Sequence, residues 1–153
     1  MKEGRHFYFR DAVEADFAFI VDNLYKTIMR QMPWSAMEHE VLREFSTWFG
    51  DTVLPESIVL IAQNPEEPVH ALGAIHGYAV AGMAPQALHW AYVRREKRGW
   101  GLGSALASEI RDRLGVDEAS TLDYTIHTKA VDRLGLRDRW KMRYRPWAML
   151  TLL

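Results

Sequence analysis

Between Tyr92 and Leu106 the chain leaves an apolar stretch and crosses the basic residues Arg94, Arg95, Lys97 and Arg98. It then places glycine at positions 99, 101 and 103, where a helical pattern begins. This segment restricts the fold more than any other. Glycines without Cβ atoms let a bulky group approach the main chain, and the first amides of a helix have no acceptor inside it. Backed by the positive end of the helix dipole, those amides suit a pyrophosphate, and the neighbouring cations add charge where its oxygens would lie. A strand, a loop and a helix with this chemistry at the turn imply an α/β arrangement.

Other glycine loops fit the segment less well. A Rossmann loop has Gly-x-Gly-x-x-Gly directly after the first strand, whereas Ser104 occupies the third position here and a basic loop intervenes. A Walker loop needs Gly-Lys-Ser or Gly-Lys-Thr, which the segment lacks. An ordinary tight strand-to-helix turn stays open as the plain alternative.

Elsewhere the pattern predicts a strand at 6–10, then a helix opened by an Asp11-to-Glu14 capping box and carrying Phe17, Ile20, Val21, Leu24 and Ile28. A second helix is expected from a Ser35-to-Glu38 signal up to Gly50. Strands are expected at 57–63, 69–80 and 88–93, the first two forming a hairpin about Asn64 to Pro68. Leu102, Leu106, Ile110 and Leu114 mark a helix stopped by Gly115. A strand at 121–126, a polar helix at 129–140 and a buried last strand at 147–152 complete the order β, α, α, β, β, β, α, β, α, β.

A chain of 153 residues builds one sizeable core, so residues 1–153 are expected to form a single domain. Its composition, 48% hydrophobic and 25% charged with a net charge of -1, is that of a globular protein and not of a polycation. The absence of cysteine excludes disulfides and thiolate chemistry. The N-terminus has no signal-peptide pattern and no apolar run is long enough for a bilayer, so a cytoplasmic, non-membrane setting is expected. The histidines give no metal site: His39-Glu40 has no second His four residues on, and His70 and His76 have no partner at ligand spacing. Lys129, Arg133, Arg137, Arg139, Lys141, Arg143 and Arg145 make the C-terminal end locally basic, either as a solvated face or as a surface for a polyanion.

Arg98-Gly99-Trp100-Gly101-Leu102-Gly103 resembles the Arg/Gln-x-x-Gly-x-Gly/Ala motif of the GNAT superfamily of N-acetyltransferases. The resemblance implies a mixed, mostly antiparallel central sheet flanked by helices, with a V-shaped cofactor cleft beside the strand at 88–93. It implies acetyl-CoA as cosubstrate and an amine as acceptor. Tyr92 and Val93 would then be backbone partners of the pantetheine, and Arg98, Gly99, Trp100, Gly101, Leu102, Gly103 and Ser104 would hold the pyrophosphate. A narrower resemblance, to GNAT-like proteins of bacteriophage genomes, rests on Tyr124-Thr125-Ile126-His127-Thr128 and Tyr144-Arg145-Pro146-Trp147. It would place the protein in a host cytoplasm.

Many family enzymes carry, after the fifth strand, a helix with a Tyr that protonates the leaving thiolate. The corresponding stretch from Thr128 to Gly135 has no Tyr, which leaves Tyr124 or Tyr144 for that task, with Tyr124 preferred. For the base, His89 lies on the strand flanking the thioester and has an ordinary pKa near neutrality, with His127 and Asp123 as alternatives. The expected function is direct transfer of an acetyl group to an amine. A non-catalytic GNAT-fold binding protein and a nucleic-acid-modifying or nucleic-acid-binding variant are the two rivals.

Overall fold

The computed structural model describes residues 7–31, 34–68, 71, 73–99 and 101–152. Six strands form one sheet in chain order: β1 (Tyr8–Asp11), β2 (Ser57–Gln63), β3 (Ile75–Met83), β4 (Gln86–Val93), β5 (Leu122–Tyr124) and β6 (Met142–Tyr144). The first four are antiparallel neighbours, whereas β5 runs parallel to β4 and β6 parallel to β5. The mixed, mostly antiparallel sheet expected from the sequence is present.

Helices α1 (Glu14–Ile28) and α2 (His39–Trp48) cover one face, and α3 (Leu102–Leu114) covers the other. Ile20, Leu24 and Ile28 recur at helical spacing and are fully buried against Val59, Ile61, Tyr78, Val80 and Trp90. Each such side chain contributes roughly 1.5–3 kcal/mol by leaving water. On the far face Leu102, Leu106, Ile110 and Leu114 pack on Leu60, Ala79, Ala81 and Leu88. Alternation along β2 and β3 thus supplies two cores, one to each side.

Local details depart from the sequence pattern where side chains find distant partners. Val13 is the N-cap of α1, its N–H donated to Asp16 Oδ2 at 2.9 Å. Asp16 also takes two bonds from Arg10, at 2.8 and 3.0 Å, which raise the guanidinium pKa despite its partial burial. Asp11 ends β1 and pairs with Arg113 at 2.7 Å instead of capping. The second helix starts at His39, after a 3-10 turn at Trp34–Ala36, and continues through a π-helical turn at Phe49–Val53. The returning strand begins at Ile75, not at 69, and positions 69, 70 and 72 lie outside the described residues.

The C-terminal third differs most. The helix expected over 129–140 is two short helices, α4 (Lys129–Arg133) and α5 (Leu136–Arg139), separated by Gly135 at φ +60°. The last strand is β6, and Pro146–Leu152 is a 3-10 helix, so the strand expected at 147–152 is corrected. Ion pairs from Arg143 and Arg145 to Asp123, 2.9 and 3.0 Å, bind β6 and the residue after it to β5. Arg111 of α3, 6% exposed, donates to the carbonyls of Asp117 and Ser120, before β5, and of Trp140 and Lys141, before β6.

Candidate active site

The ladder between β4 and β5 spans only Ala87 with Asp123 and Leu88 with Tyr124, continued by Thr125 N–H to the Leu88 carbonyl at 3.1 Å. Beyond that point the two strands part, and β4 runs on to Val93 with no ladder partner on that side among the described residues. A bulge sits at the fork, because Val80 pairs with Trp90 and Ala81 with Leu88, leaving His89 as the extra residue. The strand bends there. The V-shaped opening continues into a cavity of about 710 Å³.

That cavity passes from one face of the sheet to the other. Thr27, Arg30, Gln31 and Trp90 line it on the α1 side, and Leu88, Gly99, Gly101, Gly103 and Trp140 on the α3 side. Arg94 N–H donates to the His76 carbonyl at 2.8 Å, so by strand alternation the main chain of Ala91 and Val93 faces the opening while that of Tyr92 faces β3. The Tyr92 residue still lines the cavity. Of the two expected backbone partners, Val93 therefore presents its main chain and Tyr92 a wall.

At the start of α3 the chain turns through Gly99 at φ +85° and Gly101 at φ +80°, a region that side chains rarely adopt. A Cβ at either position would meet no atom within 4 Å, so the main chain there is open. Gly101 is the N-cap without a side-chain hydrogen bond, and the first amide that reaches back to it is that of Ala105. The amides of Leu102, Gly103 and Ser104 belong to the turn that lacks intrahelical acceptors. Arg98 braces the loop by donating Nε–H to the Val93 carbonyl at 3.0 Å. Trp140 stands beside Gly103, 3.5 Å from where a Cβ would be, and its buried Nε1–H finds no acceptor among the described residues. An extended anion carrying hydrogen-bonding groups fits this set of donors. Trp100 lies outside the described residues.

His89 is 3% exposed, with Nδ1 at 2.9 Å from Thr125 Oγ1 and Nε2 packed over Gly82, where an added Cβ would fall 2.7 Å away. Burial lowers its pKa to about 4, so the ring is neutral across the physiological range. Enclosed in this way, the ring takes up a proton less readily than the free imidazole on which the expectation of a base rested. Strand position revealed its proximity to the fork but not its enclosure.

Tyr124 lies across the fork. Its hydroxyl is 2.7 Å from His127 Nδ1 and accepts Arg137 Nε–H at 3.0 Å. His127 Nε2 in turn lies 3.0 Å from Asp132 Oδ2. When Nε2 carries the proton toward Asp132, Nδ1 is left to accept the Tyr124 hydroxyl proton. Burial raises the Tyr124 pKa and Arg137 offsets part of that rise. The hydrogen bond from His127 holds the Asp132 carboxyl below its usual range. Sequence reasoning had Tyr124 and His127 but not Asp132, which α4 sets five residues past His127, nor Arg137, which the turn at Gly135 brings back to β5. Tyr144 stacks on Tyr124 at 5.3 Å and stands behind it, not in the cavity lining. Asp123 is taken up elsewhere: burial alone would raise its pKa, but Arg143 and Arg145 hold it low.

A six-stranded, mostly antiparallel sheet that forks between a bulged fourth strand and a parallel fifth, with a glycine loop opening the following helix, is the GNAT acetyltransferase fold. A possible acetyltransferase from Clostridium difficile 630 is similar over 92% of both chains, at 12% identity and a TM-score of 0.59. A ribosomal-protein-alanine N-acetyltransferase from Brucella melitensis biovar Abortus 2308 is 14% identical, covering 87% of this chain and 90% of its own, with a TM-score of 0.57. The aminoglycoside N-acetyltransferase AAC(6')-Iy, solved in complex with CoA, is 12% identical over 94% of this chain and 91% of its own, with a TM-score of 0.55. No protein-family model matches the sequence, and no curated protein matches it. Among the described residues no helix is long and apolar enough to cross a membrane, and no group of His, Asp or Glu could hold a metal ion.

Proposed function

We propose that this protein binds acetyl-CoA and transfers its acetyl group directly to an amine. One observation carries the reading: the opening between β4 and β5 leads to an uncapped helix start whose glycines leave the main chain bare. The amides of Gly99 and of Gly101 to Ser104 would hold the pyrophosphate, with Arg98 bracing the loop. Main-chain groups of Ala91 and the N–H of Val93, whose carbonyl accepts from Arg98, would pair with the pantetheine arm as a strand neighbour does, Tyr92 forming part of the wall. Acetyl-CoA supplies an acyl group activated as a thioester.

Tyr124 is assigned as the acid that returns a proton to the leaving sulfur: its hydroxyl would turn from His127 Nδ1 to the sulfur, Arg137 would steady the phenolate left behind, and water would restore the proton. His89 is assigned a positioning role, since its bond to Thr125 ties the bulge of β4 to the end of β5. No Asp or Glu lines the cavity among the described residues, and in this reading the acceptor attacks as the free amine and gives its proton to water.

The test is native mass spectrometry with acetyl-CoA, followed by a thiol-release screen over amines. A one-to-one complex and release of CoA with at least one amine are expected. Tyr124→Phe should lower turnover about 100-fold and leave acetyl-CoA affinity unchanged. Tight binding with no amine consumed would make the protein a cofactor-fold binder without transfer, and no binding at all would end the reading.

A further inference from the structure

The charges around the cavity are one-sided. Arg30, Lys97, Arg98, Lys129, Arg133 and Arg139 line it, with no carboxylate among the described lining residues. The nearby acids are committed elsewhere: Asp123 to Arg143 and Arg145, and Asp132 to His127, with Arg137 at 3.9 Å. A polyamine or another polycationic acceptor would find nothing there to pair with.

These cations also fall into groups. Lys97 and Arg98 belong to the glycine loop, and Arg139 adjoins Trp140, which packs on Gly103. Arg30 stands on the opposite face of the sheet, just past the end of α1, between the lining residues Thr27 and Gln31. Lys129 opens α4, with Arg133 at the end of the same short helix, and is joined to the α1 end because its N–H donates to Gln31 Oε1 at 3.0 Å. Neither Arg30 nor Lys129 forms a side-chain ion pair among the described residues. The loop cations answer to coenzyme phosphates, which leaves the α1-side pair without a counterpart.

We propose that the acceptor is an amine that also bears an oxyanion, a carboxylate or a phosphate, and that Arg30 and Lys129 hold that group at the α1 mouth of the cavity. This rests on the acetyl-transfer reading above. Placing the anion there leaves the amine free to enter the fork from the face opposite the coenzyme. A guanidinium and an ammonium together bind an oxyanion by charge-assisted hydrogen bonds.

The experiment compares matched acceptors with the acetyl-CoA-loaded protein: phenylalanine against phenylalaninamide, glucosamine 6-phosphate against glucosamine, and spermidine as a polycation. The anionic member of at least one pair should exceed its neutral partner by about 10-fold or more in kcat/KM, mostly through KM. The two pairs separate carboxylate from phosphate. Calorimetric titration of the same compounds into protein saturated with CoA should show the same preference without turnover. Arg30→Glu with Lys129→Glu should erase it while acetyl-CoA binds as before. Preference for spermidine or the neutral members, or a preference that survives the double variant, overturns the proposal while leaving acetyl transfer intact. Failure of the parent to bind acetyl-CoA would overturn both.

Discussion

The arm of the fork made by β4, the glycine loop and α3 presents main chain to the opening: bare amides at a helix start and the open edge of a strand. The arm running from β5 through α4 and α5 to β6 offers side chains instead, with Tyr124, His127, Asp132 and Arg137 joined by bonds of 2.7 to 3.0 Å. Main-chain recognition needs regular elements and glycine at a few set positions, and it tolerates many neighbouring sequences. A side-chain network needs particular residues and almost no regular structure, and this arm has helices of 5 and 4 residues and strands of 3. Bare main chain and a side-chain network thus face each other across one opening.

The most severe way to break this contrast is Gly101→Asp. The added Cβ meets no atom, so the fold has room, and the left-handed backbone, which costs most side chains about 1–2 kcal/mol, is among those that Asp tolerates best after glycine and Asn. The carboxylate would sit where the anion is to bind. Acetyl-CoA affinity should fall about 1,000-fold or more, equivalent to roughly 4 kcal/mol, while calorimetric melting stays cooperative. An unchanged dissociation constant in a folded variant would remove the main-chain arm from cofactor binding.

His89 joins the two arms, and its burial makes that joint sensitive to acid. The unfolded ring protonates near 6.5 and the folded ring only near 4, so the stability it protects is complete above pH 6.5 and is lost as pH falls toward 4. The loss amounts to roughly 3 kcal/mol. Urea denaturation at pH 7.5 and pH 4.5 should show this difference in the parent and a smaller one in His89→Gln. Equal losses would mean that the ring is not held neutral at the fork.

A smaller effect is expected at Arg98, because its Nε–H is already spent on the Val93 carbonyl. Arg98→Ala should weaken acetyl-CoA binding by about 1–2 kcal/mol through a looser loop, read by isothermal titration. A loss as large as that for Gly101→Asp would show that a side chain dominates this arm as well.

The same contrast explains what the sequence disclosed. The main-chain arm was legible because its signals are local: a continuous, largely apolar run along β4, glycines at 99, 101 and 103, helical spacing from Leu102 to Leu114 and a stop at Gly115. The other arm was not. Met142–Tyr144 has one buried residue in three, and its place is set by Arg143 and Arg145 reaching Asp123, about 20 positions earlier. The apolar run after Pro146 looked more like a strand and is a 3-10 helix. Gly135 breaks what polar helix propensity joined, and that break brings Arg137 back to Tyr124. His89 shows the limit from the other side, since its position was readable and its enclosure by Gly82 and Thr125 was not.

One residue makes these arms mechanically inseparable. Arg111 holds the carbonyls of Trp140 and Lys141 from the third turn of α3, and two turns earlier Gly103 of the same helix takes the face of Trp140. The approach to β6 is therefore gripped at two points by a single rigid rod. Force or order arriving at the first turn of α3 is passed along that rod to the segment that carries Arg143 and Arg145. Whatever steadies the start of α3 thus steadies the approach to β6 as well.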